Sequence, residues 1–143
     1  NPNHSYKVIQ YHLLNFSADI ILPSLRIKKR DHSSLVKVVK NSKDYVLYLS
    51  RSDIPYNHFK QKSFLLKHLS IISFKPISLK KFSNSKKTKL ESIENIELLR
   101  ALEINLKIKS FNLSGDSFSV DTYNDYKNAK NQLKKDKLFK IYR

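Results

Sequence analysis

A single glycine, Gly115, serves the whole 143-residue chain, and that scarcity narrows what the chain can become. Phosphate-cradling loops of nucleotide-binding enzymes place several glycines at fixed spacing, and none can be built here. Cysteine is absent as well, which excludes a disulfide framework and thiolate metal sites. Lysine is abundant and arginine sparse among the 28 basic residues. That skew reads as coding drift in an AT-rich genome and carries no chemistry of its own.

Charge is the positive signal. Basic residues outnumber acids 28 to 12, a net charge of +16, and no acid occurs between Ile54 and Leu90. Self-repulsion of this size is tolerable when a polyanion shares the surface, so nucleic acid is the first candidate partner and an anionic membrane the second. No apolar run approaches the roughly 18–20 residues of a spanning helix, so the chain is expected to be soluble or peripheral, and of the two candidates nucleic acid is preferred, with no membrane partner expected. The length suits one domain with a modest core.

Periodicity and breakers suggest the elements. Residues 6–14, rich in β-branched and aromatic side chains, read as a strand. Residues 16–30 read as a helix with Ser17 as candidate cap, kinked at Pro23 or beginning near it, and ending in Lys28, Lys29 and Arg30. Residues 35–40 and 44–50 form a hairpin across Asn41-Ser42-Lys43, 56–70 a helix with Phe59, Leu65, Leu66 and Leu69 inward, and 69–78 a strand ended by Pro76. Residues 78–89 read as a basic loop, 92–103 as a helix capped by Ser92, and 104–111 as a half-buried strand. The expected fold is α+β: a small mixed or antiparallel sheet packed on two helices in ferredoxin-like β-α-β-β-α-β order. Residues 1–111 would be one domain with a basic insertion at 78–90, and 112–143 a basic C-terminal extension. Val8, Val38, Leu47, Phe59, Phe64, Ile72, Leu99 and Ile108 are the expected core.

Catalytic constellations are hard to assemble. Histidines 4, 12, 32, 58 and 68 have no metal-ligand spacing, and no serine sits in a Gly-x-Ser-x-Gly elbow. Glu91, Glu94 and Glu97 could form a cluster, but acids at a helix start are explained by the helix dipole. No enzyme, cofactor, metal or small-molecule substrate is expected. Lys80, Lys81, Lys86, Lys87 and Lys89 have no nearby acids and suit phosphate, while Tyr56, His58, Phe59 and Phe82 could stack on bases, Phe59 being assigned rather to the core. Arg51 lies between a strand and an expected helix start, capped by Ser52 or Asp53, a placement suited to bidentate phosphate contact or to a surface pair with Asp53.

The stretch "YVLYLSRSDIPYNHFKQKSF" (45–64), "KHLSIISFKP" (67–76) and "IELLRALEINLKIKSF" (96–111) together resemble the tenth protein of the small ribosomal subunit, most closely its mitochondrial forms. The resemblance spans 6–111, with Pro23, the Asp53-Ile54-Pro55 turn and residues 78–90 departing from the pattern. It implies a structural constituent of the small subunit, without catalysis, that binds rRNA and neighbouring ribosomal proteins in the subunit head. The implied RNA contacts are Arg51, Ser52, His58, Lys60, Lys62, Lys67, Lys80, Lys81, Lys86 and Lys87. The location implied is the mitochondrial ribosome, with the cytoplasm of an AT-rich bacterium as alternative. A free-standing basic nucleic-acid-binding protein and another organellar ribosomal protein are the rival readings.

Overall fold

The run Ile20-Ile21-Leu22-Pro23-Ser24-Leu25 is buried at every position, and the other elements are arranged around it. The computed structural model describes residues 2–28, 34–59, 63–115, 120 and 123–134. Within it the run is extended, forming β1 (Ile20–Ile21) and β2 (Ser24–Ile27). The helix expected over 16–30 is therefore absent from its described part. An apolar run buried on both faces looks alike as strand or helix from periodicity alone. Pro23 falls in the gap between the two strands, where its missing N–H costs no ladder bond, and its carbonyl accepts the N–H of Leu69 at 2.9 Å.

Strand β1 is the centre of a three-stranded sheet in the order β6-β1-β7, with β6 at Ser73–Phe74 and β7 at Ile108–Lys109. It is antiparallel to β6 and parallel to β7. Alternation sends Ile20 and Leu22 to one face, against Leu99, Ala101 and Ile108. Ile21 goes to the other face, with Val8 and Ala18. Val8 belongs to helix α1 (Pro2–Leu14), which replaces the strand expected at 6–14. Val8 and Tyr11, three apart, both turn toward the sheet, and Tyr11 stacks on Phe111 at 4.3 Å. Burial of that stripe overrides the β-propensity of the side chains.

The second sheet has the order β2-β5-β3-β4, with β3 at Lys37–Lys40, β4 at Val46–Ser50 and β5 at Leu65–His68. β3 and β4 form an antiparallel hairpin. Its turn is held by the Asn41 side chain, which accepts the N–H groups of Lys43 and Tyr45, both at 2.9 Å. Asp44 takes a left-handed φ of 66° there, a conformation that Asp and Asn tolerate. β5 occupies part of the stretch expected as the 56–70 helix, because its backbone is needed between β2 and β3. Phe59 and Phe64 are 80% and 51% exposed rather than core. Leu47, one residue out of phase with buried Val46, is also exposed, whereas Val8, Val38, Leu99 and Ile108 are buried and Ile72 is half-buried.

The supposed basic loop at 78–89 opens as helix α2 (Pro76–Ser83). Pro76 ends the strand and also starts the helix, since proline suits the first helical turn. The expected 92–103 helix is two: α3 (Lys89–Glu94) and α4 (Glu97–Glu103). Asn95, at φ 52°, breaks the helix so that Ile96 can turn inward. The cap is Thr88 rather than Ser92, its N–H bonded to Glu91 at 3.4 Å. Beyond Gly115 lies α5 (Tyr123–Leu133), with no buried residue.

Candidate functional site

Among the described residues, a polar constellation lies where the end of β4 meets the α3–α4 junction. Its anchor is Glu94. One carboxylate oxygen accepts the Ser50 hydroxyl at 2.6 Å, and the other accepts the Arg51 N–H at 3.0 Å. The Arg51 guanidinium returns the contact, donating to the carbonyls of Glu94 at 2.9 Å and Asn95 at 3.1 Å. Such carbonyls are the orphan acceptors at the end of α3, and a cation there satisfies both hydrogen bonding and the helix dipole. The Ser50 hydroxyl also accepts the Ser52 N–H at 3.0 Å, which fixes the chain as it leaves β4.

Beneath this turn is a buried lysine. Lys37, at the start of β3, is 1% exposed. Its ammonium donates to the carbonyls of Leu35 (2.9 Å) and Arg51, and pairs with Asp53 at 3.3 Å. Burying a lysine side chain this deep is costly unless its polar end is partnered, and these groups supply the partners. It ties both sides of the hairpin's open end together.

His68, at the end of β5, completes the cluster. Its N–H bonds to the Val36 carbonyl at 3.0 Å, and its Nδ1–H donates to the Leu69 carbonyl at 3.2 Å. Burial pushes the imidazole below its usual 6.5, and the Arg51 charge adds to that. The Leu69 carbonyl and the Glu97 carboxylate pull the other way. A neutral ring with Nδ1 donating leaves Nε2 as an acceptor. The neighbourhood thus offers the fixed positive charge of Arg51, a neutral imidazole and the exposed carboxylate of Glu97. That mixture suits a ligand carrying both a negative charge and hydroxyl groups.

The residues expected to bind RNA are spread over several elements. Arg51 spends guanidinium donors on backbone carbonyls within the protein. The helix that Ser52 or Asp53 was expected to cap does not begin there, and Asp53 sits with Lys37. His58 is exposed beside Phe59, ring centroids 5.0 Å apart. Lys67 is half-buried in β5, opposite Leu25 and Lys37. Lys80 and Lys81 lie on α2, where Lys81 reaches the Ile104 carbonyl at 3.0 Å, and Lys86 and Lys87 are exposed in the α2–α3 loop. Phe82 packs under the Arg100 guanidinium at 4.2 Å. Lys60 and Lys62 lie outside the described residues, as do Lys29 and Arg30. Lys37 escaped sequence reasoning because a lysine in a short strand normally marks the solvent face. Glu91 and Glu97 do lie in the first turns of α3 and α4, as helix-dipole logic expects, but Glu94 is the last residue of α3, where that logic does not account for it.

Comparison with known proteins overturns the ribosomal resemblance. A family described as Cytidylyltransferase matches residues 7–108. The 3-deoxy-manno-octulosonate cytidylyltransferase of Thermodesulfovibrio yellowstonii is 38% identical over 117 residues, 76% of this chain and 46% of the relative. The enzyme of the same description from Rickettsia rickettsii is 37% identical over 130 residues, 90% of this chain and 52% of the relative. A solved structure of CMP:2-keto-3-deoxy-manno-octonic acid synthetase complexed with CTP superposes with a TM-score of 0.88 at 25% identity. It covers 94% of this chain and 57% of that one. The chain spans about half the length of the curated relatives it matches.

The expectation of a non-enzymatic rRNA-binding constituent, with ribosomal proteins as partners and a mitochondrial ribosome as location, falls with these matches, as do its nucleic-acid-binding alternatives. The relatives are bacterial enzymes, and the related structure holds a nucleotide, not RNA. The physical source of the error is in the elements. The resemblance needed a strand at 6–14 and a helix at 16–30, and the structure has a helix and then strands. Matched over most of its length by that family, the chain belongs to the cytidylyltransferases.

Proposed function

We propose that this chain works in transfer of a cytidylyl group from CTP to 3-deoxy-manno-octulosonate. The observation that carries the reading is the 37% identity with a named enzyme of that activity across 90% of this chain. In such a transfer a sugar hydroxyl attacks the α-phosphorus of CTP and diphosphate leaves. With one glycine, these 143 residues supply no glycine-rich phosphate cradle. The nucleotide phosphates are accordingly assigned to parts of the family fold that this chain does not span. What the chain brings is the cluster around His68, which we assign to the sugar acid.

The chemistry fits that assignment. A sugar acid presents one carboxylate and several hydroxyls. The fixed positive charge of Arg51 favours the carboxylate electrostatically, even with its donors engaged. Nε2 of His68 accepts from one hydroxyl and the Glu97 carboxylate from another. Glu94 and Lys37 touch no ligand in this scheme; they hold the Ser50–Arg51 turn rigid, which keeps the polar groups in position before binding.

The test is diphosphate release by the protein carrying this chain, with magnesium-bound CTP, in the presence and absence of 3-deoxy-manno-octulosonate. Release that requires the sugar acid is the expected result. CTP turnover indifferent to the sugar acid, or no turnover, would overturn the assignment.

A further inference from the structure

The lysines between β6 and α4 have no part in the cluster around His68, and the structure gathers them on one surface. In α2, Ser78 and Phe82, four apart, turn inward, while Ile77, Leu79, Lys80, Lys81 and Ser83 stay exposed. In α3, Glu91 turns inward, and Lys89 and Ile93, again four apart, stay exposed. Both inward faces close on a single group, the Arg100 guanidinium. It lies 4.2 Å from the centre of the Phe82 ring, pairs with Glu91 at 3.2 Å and donates to the Ser85 carbonyl of the intervening loop at 3.0 Å. With their inner sides meeting at one point, the two helices and their loop turn a common outer side away from it. That side carries Lys80, Lys86, Lys87 and Lys89 together with Ile77, which is 78% exposed, and Ile93, which is 68% exposed.

Nothing in the segment offsets this charge. No acid occurs from Ile54 to Leu90, and the first one after it, Glu91, is 6% exposed and engaged by Arg100. Among the described residues no ion pair takes up Lys80, Lys86, Lys87 or Lys89, whereas Lys81 is held at the Ile104 carbonyl. Cations interleaved with bare aliphatic side chains suit a partner that is anionic at its surface and apolar just beneath it. We propose that the outer face of α2, the following loop and α3 docks on an anionic lipid surface. The lysines would meet headgroup phosphates, and Ile77 and Ile93 would enter the boundary below them. A nucleic acid fits this face less well. Single strands want flat rings to stack on, and Phe82, the one aromatic residue from 76 to 94, is enclosed by Arg100 and by Phe74 at 5.5 Å. No described helix is long and apolar enough to cross a membrane, and docking of this kind needs none.

The inference does not rest on the activity proposed above, and its test reads sedimentation and not turnover. The protein carrying this chain is spun with sucrose-loaded vesicles of phosphatidylcholine alone, or of phosphatidylcholine and phosphatidylglycerol at about two to one. Binding to the anionic vesicles should exceed binding to the neutral ones about tenfold or more, and fade as salt rises from about 0.05 to 0.5 M. A lysine close to such a surface is worth about fivefold in partition, so Lys80→Gln, Lys86→Gln and Lys87→Gln together should lower binding about 100-fold. Ile77→Ser should lower it about fivefold or more. Lys7→Gln, Lys43→Gln and Lys107→Gln together make the same charge change at exposed positions on other elements, and should leave binding within about threefold. All seven side chains face solvent, so circular dichroism and melting temperature should not change. The proposal is overturned by equal binding to both kinds of vesicle. It is overturned as well by equal losses in the two triple variants, which would make the attraction one of net charge alone. A single-stranded oligonucleotide that binds more tightly than the anionic vesicles, through the same three lysines, would also overturn it and give the surface to nucleic acid.

Discussion

Removing the Glu94 carboxylate should destabilise the protein by about 1.5–3 kcal/mol, and the structure shows how opposing effects reach that figure. Glu94→Ala keeps the backbone, so the Glu94 carbonyl still accepts from Arg51. Lost are the 2.6 Å bond from Ser50 and the 3.0 Å bond from the Arg51 N–H. A buried donor left without its partner costs about 1–3 kcal/mol. Ser50 is 3% exposed and pays most of that, whereas Glu94 is half-buried and water can reach part of the vacated space. Against the loss, Glu94 is the last residue of α3, where an anion opposes the helix dipole by about 0.3–1 kcal/mol. The hydrogen bonds win. Urea denaturation of wild type and variant measures the difference, with Glu94→Gln expected near half of it because one acceptor oxygen remains. Combined with Ser50→Ala, the loss should be smaller than the sum of the two single changes by about 1 kcal/mol. A Glu94→Ala variant within about 0.5 kcal/mol of wild type would refute the claim that this carboxylate anchors the turn.

Leu99→Ala, at a position with no exposed surface in the main core, should cost about 2–5 kcal/mol by urea denaturation. His68→Asn should alter the pH dependence of stability. The folded His68 binds its proton less readily than the unfolded residue, so wild type loses stability relative to the variant as pH falls from about 6.5 toward the lower folded value. Asp19 acts at more acid pH. Burial raises its pKa, but the Lys107 N–H, the Ser78 hydroxyl and the charges of Lys75 and Lys107 together bring it below its usual 3.8. Its contribution is present above that value and lost as pH falls through the folded one, so Asp19→Asn should flatten the acid limb of the same profile. On the proposed function, Glu97→Gln in the protein carrying this chain should raise KM for the sugar acid about tenfold or more while leaving KM for CTP within about twofold; equal changes in both would remove Glu97 from the sugar-acid side.

The hairpin at 37–50 was readable because its turn chemistry is local: Asn41 bonds its own neighbours, and Asp44 tolerates a positive φ. The helical region at 92–103 was readable as helix but not as two helices, since the break at Asn95 exists to bury Ile96 in a core that only the fold creates. Residues 6–14 and 16–30 exchanged their expected states for the same reason. Their burial is set by partners distant in sequence, with Ile20 opposite Phe74 and Ile108. At the site, Arg51 stood out from sequence as an arginine held between elements, but its engagement by the α3 carbonyls depends on a contact 43 residues away. Glu94 was misjudged because its role depends on lying at the end of a helix, not near the start. Charge misled most. An excess of lysine describes the surface and is silent about which buried groups form a site.

The most direct measurement follows the label. The protein carrying this chain is incubated with CTP labelled in its α-phosphate and with 3-deoxy-manno-octulosonate, and the products are separated by anion exchange. Cytidylyl transfer predicts label in a new species that contains both the nucleotide and the sugar acid and forms only when both substrates are present. Label confined to CTP and its hydrolysis product, with sugar acid unmodified, would contradict it.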